Sequence, residues 1–249
     1  MKTPSFRYMG GKARLRKWLV SLFPTNGRSY VEPFAGRGNV FFEAVQRLSF
    51  KNWLLSDQDT EFLEALLTAD FSMLPACVDR DVFERLRKTP KDVISLLVEP
   101  RVTFAGKGYA SGFSGSSGTH VGYSRQNYLA VCVAAKSLLT KPGVVVLDCA
   151  SWESLPWSSW SQDDFVYLDP PYFGTKASYP NIDHCALAQV LNRARFRWAL
   201  SGYANQAYEQ QLNFKSRFEC VRNSEIKSSN THNASPVTEV LWTNWASNG

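Results

Sequence analysis

Asp169-Pro170-Pro171-Tyr172 puts a carboxylate, two prolines and an aromatic ring within four residues. The prolines fix the backbone and remove two N–H donors. What remains at this point is a carboxylate, free backbone carbonyls and a ring. That set suits an amino group carried on a flat heterocycle. The carboxylate and a carbonyl accept the amine hydrogens, and the ring stacks on Tyr172 or Phe173. Such an amine is a poor nucleophile because its lone pair is conjugated into the ring. Accepting both hydrogens favours a more pyramidal nitrogen whose lone pair can attack an electrophile. A plain proline-rich turn has the same composition. By ordinary residue usage, however, the tetrapeptide arises by chance in on the order of one in a thousand chains of this length. An apolar run, Phe165 to Leu168, precedes it and reads as a strand. The motif then lies at a strand's carboxyl end, where open α/β sheets bind ligands.

A second group is Val31-Glu32-Pro33-Phe34-Ala35-Gly36-Arg37-Gly38-Asn39. Glycines at alternate positions let the backbone pass close to a ligand where a strand meets a helix. Alone this is a tight βα turn, and it lacks the third glycine of the dinucleotide fingerprint. Asp57 ends the next strand, where a carboxylate can take ribose hydroxyls, and Asp148 ends a later one, placed to meet a cofactor's adenine amine. Either aspartate by itself is more often a helix cap or turn residue. A third group, Tyr8-Met9-Gly10-Gly11-Lys12, precedes the first helix. It is not a phosphate-binding P-loop, because the first glycine is missing and Ala13 stands where Ser or Thr is required.

The elements that must position these groups follow from the hydrophobic pattern. Leu15, Trp18, Leu19 and Leu22 predict a helix over 12–23, stopped by Pro24. Ser29 to Phe34 reads as a buried strand, followed by a glycine turn, a helix to about Leu48, a strand from Trp53 to Ser56 and a helix from Glu61 to Leu67. Residues 71–103 read as helical and charged, and a helix spans 126–139. Between them, 105–124 carry six glycines and no periodicity. The α/β rhythm resumes with strands at Val144 to Leu147, Phe165 to Leu168, Trp198 to Ser201 and Glu239 to Thr243. The expected organisation is one α/β domain, 1–70 with 141–249, interrupted by an insertion at 71–140.

Composition narrows the function classes. The 249 residues are 44% hydrophobic, enough for a substantial core, so dominant disorder is excluded. No apolar run approaches the roughly 18 residues of a membrane span. The five cysteines contain no CxxC pair and the three histidines no ligand spacing, so neither a disulfide framework nor a metal site is expected. The reading is a soluble, intracellular, metal-free protein. The net charge of +6 is uneven: 1–30 carry +7, 31–70 carry −4, 71–141 carry +5 and 142–249 carry −2. If the two basic segments meet, they form a face suited to a polyanion; the plainer alternative is a solvated surface.

Taken in this order, the GGK segment, the FxGxG turn, an insertion and the DPPY motif resemble the Dam-type DNA adenine methyltransferases, the alpha group of amino-methyltransferases. The resemblance runs the length of the chain and is weakest in the insertion. It implies a Rossmann-like, S-adenosylmethionine-dependent methyltransferase fold with an inserted, mostly helical target-recognition region. It further implies methyl transfer to the N6 amine of an adenine swung out of duplex DNA. Carried over, Asp169, Pro170, Pro171 and Tyr172 hold the target adenine and its amine. Phe34, Gly36 and Gly38 line the methionine moiety, with Glu32 near its amino group. Asp57 takes the ribose, Asp148 the cofactor adenine, and Tyr8, Gly11 and Lys12 match the N-terminal cofactor segment. Arg37 stands where many relatives carry a small residue.

The insertion departs from the GATC-reading members: it has Arg101-Val102-Thr103-Phe104-Ala105-Gly106-Lys107-Gly108-Tyr109 and then a glycine–serine stretch. Residues 105–124 are either a disordered surface loop or a DNA-contacting one. In the second case Arg101, Lys107 and Arg125 would reach phosphates, and Gln126 and Asn127 adenine edges. The implied setting is the cytoplasm, on nucleoid DNA, as a monomer or weak dimer. Three alternatives stay open: cytosine-amine methylation, RNA or protein methylation, and a DNA-binding relative without catalysis. Cytosine-5 chemistry is disfavoured, since no Pro-Cys pair supplies its nucleophile.

Overall fold

The computed structural model describes residues 3–8, 10–114, 123–148, 151–172, 182–204, 206–223 and 236–246. Phe173 and residues 115–122 of the glycine–serine stretch lie outside the described residues.

The strands are β1 (Asn26–Glu32), β2 (Ser49–Asp57), β3 (Val144–Asp148), β4 (Asp164–Leu168), β5 (Arg197–Tyr203), β6 (Ser216–Asn223) and β7 (Pro236–Thr243). They form one sheet in the order β3-β2-β1-β4-β5-β7-β6. β1 to β5 are parallel, and β7 runs antiparallel to both β5 and β6. The helices are α1 (Arg16–Ser21), α2 (Asn39–Arg47), α3 (Glu61–Thr68), α4 (Arg80–Lys88), α5 (Val93–Val102), α6 (Arg125–Leu139), α7 (His184–Asn192) and α8 (Gln206–Gln211). This is a Rossmann-like α/β fold. The chain order reverses between β1 and β4, which makes the crevice at their carboxyl ends the topological switch point.

Both faces of the sheet centre are covered, so β4 and the carboxyl-terminal half of β1 are buried on both sides. Alternation shows in the packing. On one face Tyr30, Trp53, Leu55, Phe165, Tyr167, Ala199 and Leu241 pack against α2, α3, α5 and α6. On the other, Val31, Val166, Leu168, Trp198, Leu200, Val240 and Trp242 pack against α7, Tyr208 and the Trp152–Trp160 segment. The helices between 71 and 139 share the first of these cores: Phe83, Leu97, Val98, Tyr128 and Cys132 belong to the same buried cluster as Phe6, Phe42 and Phe62.

Three local differences from the sequence reading have identifiable causes. The first helix is short, Arg16–Ser21, because Lys12 to Leu15 are taken up in a turn in which the Lys12 carbonyl accepts from Leu15 and Arg16. The helices α7 and α8 and the strand β6 carry no pattern that stood out in the sequence; β6 lies at the sheet edge and alternates exposed and half-buried residues. The stretch after α5 is not unstructured throughout: residues 104–106 and 109–111 form single 3₁₀ turns, closed by a bridge between Thr103 and Phe113.

Asn39, the first residue of α2, ties the N-terminal segment to that helix. Its Oδ1 accepts from the Phe6 N–H at 3.0 Å, and its Nδ2 donates to the Phe6 carbonyl at 2.9 Å, both bonds buried. The pair mimics a strand ladder where no strand is present. Asn39→Ala would leave two buried backbone groups unpaired, at about 1–3 kcal/mol each. The expected result is a lower urea midpoint with an unchanged denaturant slope; an unchanged midpoint would show that water or a neighbour replaces the side chain.

Candidate functional site

The period of two along a strand decides which side chains meet at the switch point. Glu32 shares the parity of Tyr30, Asp57 that of Leu55, and Asp169 that of Tyr167; Ser201 follows Ala199, and Glu239 precedes Leu241. All five therefore emerge at the carboxyl end on the face that carries α2, α3 and α5. Asp148 stands beside Asp57 in register and is exposed.

Asp169 is the centre of this group. Its Oδ1 receives the Lys12 ammonium at 2.9 Å and the Ser201 hydroxyl at 2.8 Å. Among the described residues its Oδ2 has no hydrogen-bond partner. Burial raises the Asp169 pKa, opposed by Lys12 and Ser201. Lys12 is 5% exposed, donates to the Gly10 carbonyl at 3.0 Å, and lies 4.6 Å from the centre of the Tyr172 ring. The Tyr172 hydroxyl donates to Glu239 Oε2 at 2.7 Å, and its ring meets Tyr203 edge-on at 4.5 Å. A nitrogen carrying hydrogens thus already stands between the Asp169 carboxylate and an aromatic ring, which is the setting an aromatic amine needs.

The glycine turn lies on the other side of β1. Gly36 and Gly38 have φ of 50° and 70°, the left-handed region that glycine enters without penalty. Asp57 Oδ2 accepts from the Gly36 N–H at 2.7 Å and its Oδ1 from the Asp59 N–H at 3.1 Å. Asp57 therefore holds the glycine turn as well as facing the crevice. Burial raises its pKa, and those two N–H groups oppose the rise. A Cβ on Gly36 would come within 3.1 Å of the Tyr8 ring, so Tyr8 roofs the turn. Phe34 is half-buried against the opposite core. Arg37 turns away from the crevice: its guanidinium lies 4.3 Å from the Phe62 ring and 5.3 Å from that of Tyr8, and pairs with Glu99 of α5 at 2.8 Å.

Glu32 is 2% exposed and accepts from the Tyr30 hydroxyl at 2.8 Å. Burial raises its pKa well above the ordinary range, against that hydrogen bond, and Asp169 and Asp57 push it further. A buried acid that two neighbouring acids push up marks a site that favours a cation.

The residues expected at the nucleic acid differ in their exposure. Lys107, Gln126 and Asn127 are exposed. Arg125 donates to the Leu74 and Ser72 carbonyls at 2.8 Å each, closing the chain after a 3₁₀ turn. Arg101 is half-buried with its guanidinium 5.0 Å from the Tyr128 ring. Sequence reasoning missed Asn39, Ser201, Tyr203 and Glu239. Asn39 sits inside the glycine motif and was visible there; the other three carry no local signal.

Residues 8–69 match the family model described as D12 class N6 adenine-specific DNA methyltransferase. The matched segment holds Tyr8, Lys12, the glycine turn and Asp57, and it supports a methyltransferase. No curated protein sequence matches the chain significantly. Among solved structures, PH1948 from Pyrococcus horikoshii, provisionally described as an RNA methyltransferase, is similar at 9% identity and a TM-score of 0.47, covering 97% of this chain and 86% of that one. TrmN from Thermus thermophilus is similar at 16% identity and 0.42, covering 92% and 48%. A precorrin-6y C5,15-methyltransferase from Geobacter metallireducens is similar at 11% and 0.41, covering 94% and 88%. These likenesses are too distant to argue a substrate.

Glu32 makes the electrostatics testable. A carboxyl whose folded pKa is raised binds its proton more tightly when folded. Its ionisation therefore removes stability as pH climbs from the ordinary glutamate range through the raised value. Glu32→Gln keeps an acceptor for Tyr30 and removes that penalty. The variant's stability relative to wild type should grow between about pH 4 and pH 8 in denaturant titrations. A difference independent of pH would mean that Glu32 titrates normally.

Proposed function

We propose that this chain is a site-specific DNA methyltransferase that acts on the exocyclic N6 amine of adenine, with S-adenosylmethionine as donor. The observation that carries the reading is the Lys12 nitrogen held 2.9 Å from Asp169 and 4.6 Å from the Tyr172 ring centre. The target amine would take that place, and Lys12 would withdraw as it enters. Asp169 and the Pro170 carbonyl then accept the amine hydrogens, and Tyr172 stacks on the base. The work is done by positioning and electrostatics, with no covalent intermediate.

The crevice also fits the donor. Glu32 is a buried acid that Asp169 and Asp57 push up further, a repulsion that a cationic ligand would relieve. Glu32 would hold the donor's ammonium, Asp57 its ribose, and Tyr8, Gly11, Phe34, Gly36 and Gly38 its methionine part, with Asp148 placed for its adenine. When bound, S-adenosylmethionine supplies an electrophilic methyl group. The base must leave the duplex to be reached. The exposed Arg7, Arg14, Lys17 and Lys107 supply positive surface for phosphates. Duplex DNA is therefore the proposed partner and the nucleoid the proposed location.

The test is methyl transfer to duplex DNA by purified protein, with the modified base identified by mass spectrometry. Wild type should produce N6-methyladenine. Asp169→Ala should lower the rate by roughly 100- to 10,000-fold, the usual contribution of a positioned acid–base group, while still binding S-adenosylmethionine. A folded Asp169→Ala protein that no longer binds the donor would overturn these roles. Methylated cytosine amines would keep the chemistry and change the base, and methylated RNA alone would change the substrate.

A further inference from the structure

The target base, on the reading above, must lie on Tyr172, so the plane of that ring decides where the amine points. Pro170 and Pro171 stiffen the backbone before it, but they do not fix its side-chain torsions. The far end of the ring is held instead by a residue 67 positions away: Glu239 on β7 accepts from the Tyr172 hydroxyl at 2.7 Å. Glu239 is 1% exposed and lies in register with Tyr203, whose ring meets Tyr172 edge-on with an interplanar angle of 78°. A buried carboxylate is costly where apolar residues would pack. Of its neighbours along β7, Leu241 shares its face and is a core residue, whereas Val240 and Trp242 pack in the opposite core.

We propose that Glu239 is a positioning residue for methyl transfer, tethering the Tyr172 hydroxyl so that the ring presents one stacking plane to the target base. It touches neither substrate nor donor and acts through Tyr172. The antiparallel strand β7 thereby has a part in the site: it is the element that brings a side chain back to the carboxyl ends of β4 and β5. The inference rests on the adenine-methylation reading.

The experiment is a double-mutant cycle on the purified full chain, using Glu239→Ala, Tyr172→Phe and the double variant, with Glu239→Gln as the conservative control. The readouts are kcat and KM for duplex DNA, donor affinity and the urea midpoint. Glu239→Ala and Tyr172→Phe should each lower kcat by roughly 10- to 100-fold, the scale of a small misplacement of reacting groups. KM and donor affinity should change by less than about 3-fold. The double variant should be no slower than the worse single one, because both remove the same tether. Glu239→Gln, which still offers an acceptor oxygen, should recover most of the loss. Multiplicative losses in the double variant, or a Glu239→Gln protein as slow as Glu239→Ala, would overturn the tether. So would a lowered midpoint with kcat per folded molecule unchanged. If Glu239→Ala does not fold, Glu239→Gln and Tyr172→Phe keep the test, since both preserve side-chain volume. A wild-type protein that transfers no methyl group to adenine would instead overturn the proposed function, a result distinct from all of these.

Discussion

The ion pair between Lys12 and Asp169 is the contact on which the rest of the site depends. Glu32, Asp57, Asp169 and Glu239 are brought to one end of one sheet face, and so many carboxylates in a poorly hydrated crevice would repel one another. Most of that charge is met by neutral donors: the Tyr30 hydroxyl on Glu32, backbone N–H groups on Asp57, the Ser201 hydroxyl on Asp169 and the Tyr172 hydroxyl on Glu239. Among the described residues Lys12 brings a cation to this row, 5% exposed and held against Asp169 and the Gly10 carbonyl. Removing one partner of such a pair leaves a buried charge unmet, a loss of about 3–5 kcal/mol in comparable settings. The same pair fastens the N-terminal segment to the loop after β4, so the site's shape and its electrostatics have one origin.

That segment is anchored at further points, two of which reach different layers. Asn39 binds the Phe6 backbone beneath α2. Arg37 lies between the rings of Tyr8 and Phe62 and pairs with Glu99, which links the glycine turn to α5. The turn is therefore in mechanical contact with the region between 71 and 139, whose helices share its hydrophobic core. Gly106, in the turn after α5, packs within 2.9 Å of the Arg7 backbone for any added Cβ, so that stretch too rests on the N-terminal segment.

Much of this was legible in the chain. Apolar runs ending in acids predicted β2, β3 and β4, because parallel strands buried on both faces read as continuous hydrophobic stretches. Glycine spacing located the turn before α2, and two prolines beside an acid located the loop after β4. Those signals are local, since each depends on the backbone preferences of a few adjacent residues. Strand β6 and helices α7 and α8 escaped the same reading. An edge strand needs only partial burial, and short helices take their stability from packing more than from periodicity.

What only the tertiary structure decided is which side chains face one another. In strands that are apolar on both faces, sequence cannot tell which parity points to α2 and which to α7. The alignment of Glu32, Asp57, Asp169, Ser201 and Glu239 was therefore not visible. Ser201 and Glu239 stand 32 and 70 positions from Asp169 and join it through the β4–β5 and β5–β7 pairings. The contacts of Arg125 were hidden in the same way: its Nε and Nη2 donate to the Leu74 and Ser72 carbonyls, more than 50 positions away. The sequence alone determined the chemical groups and the local turns that present them. Register and strand order determined their partners, because a hydrogen bond depends on distance in space and not along the chain.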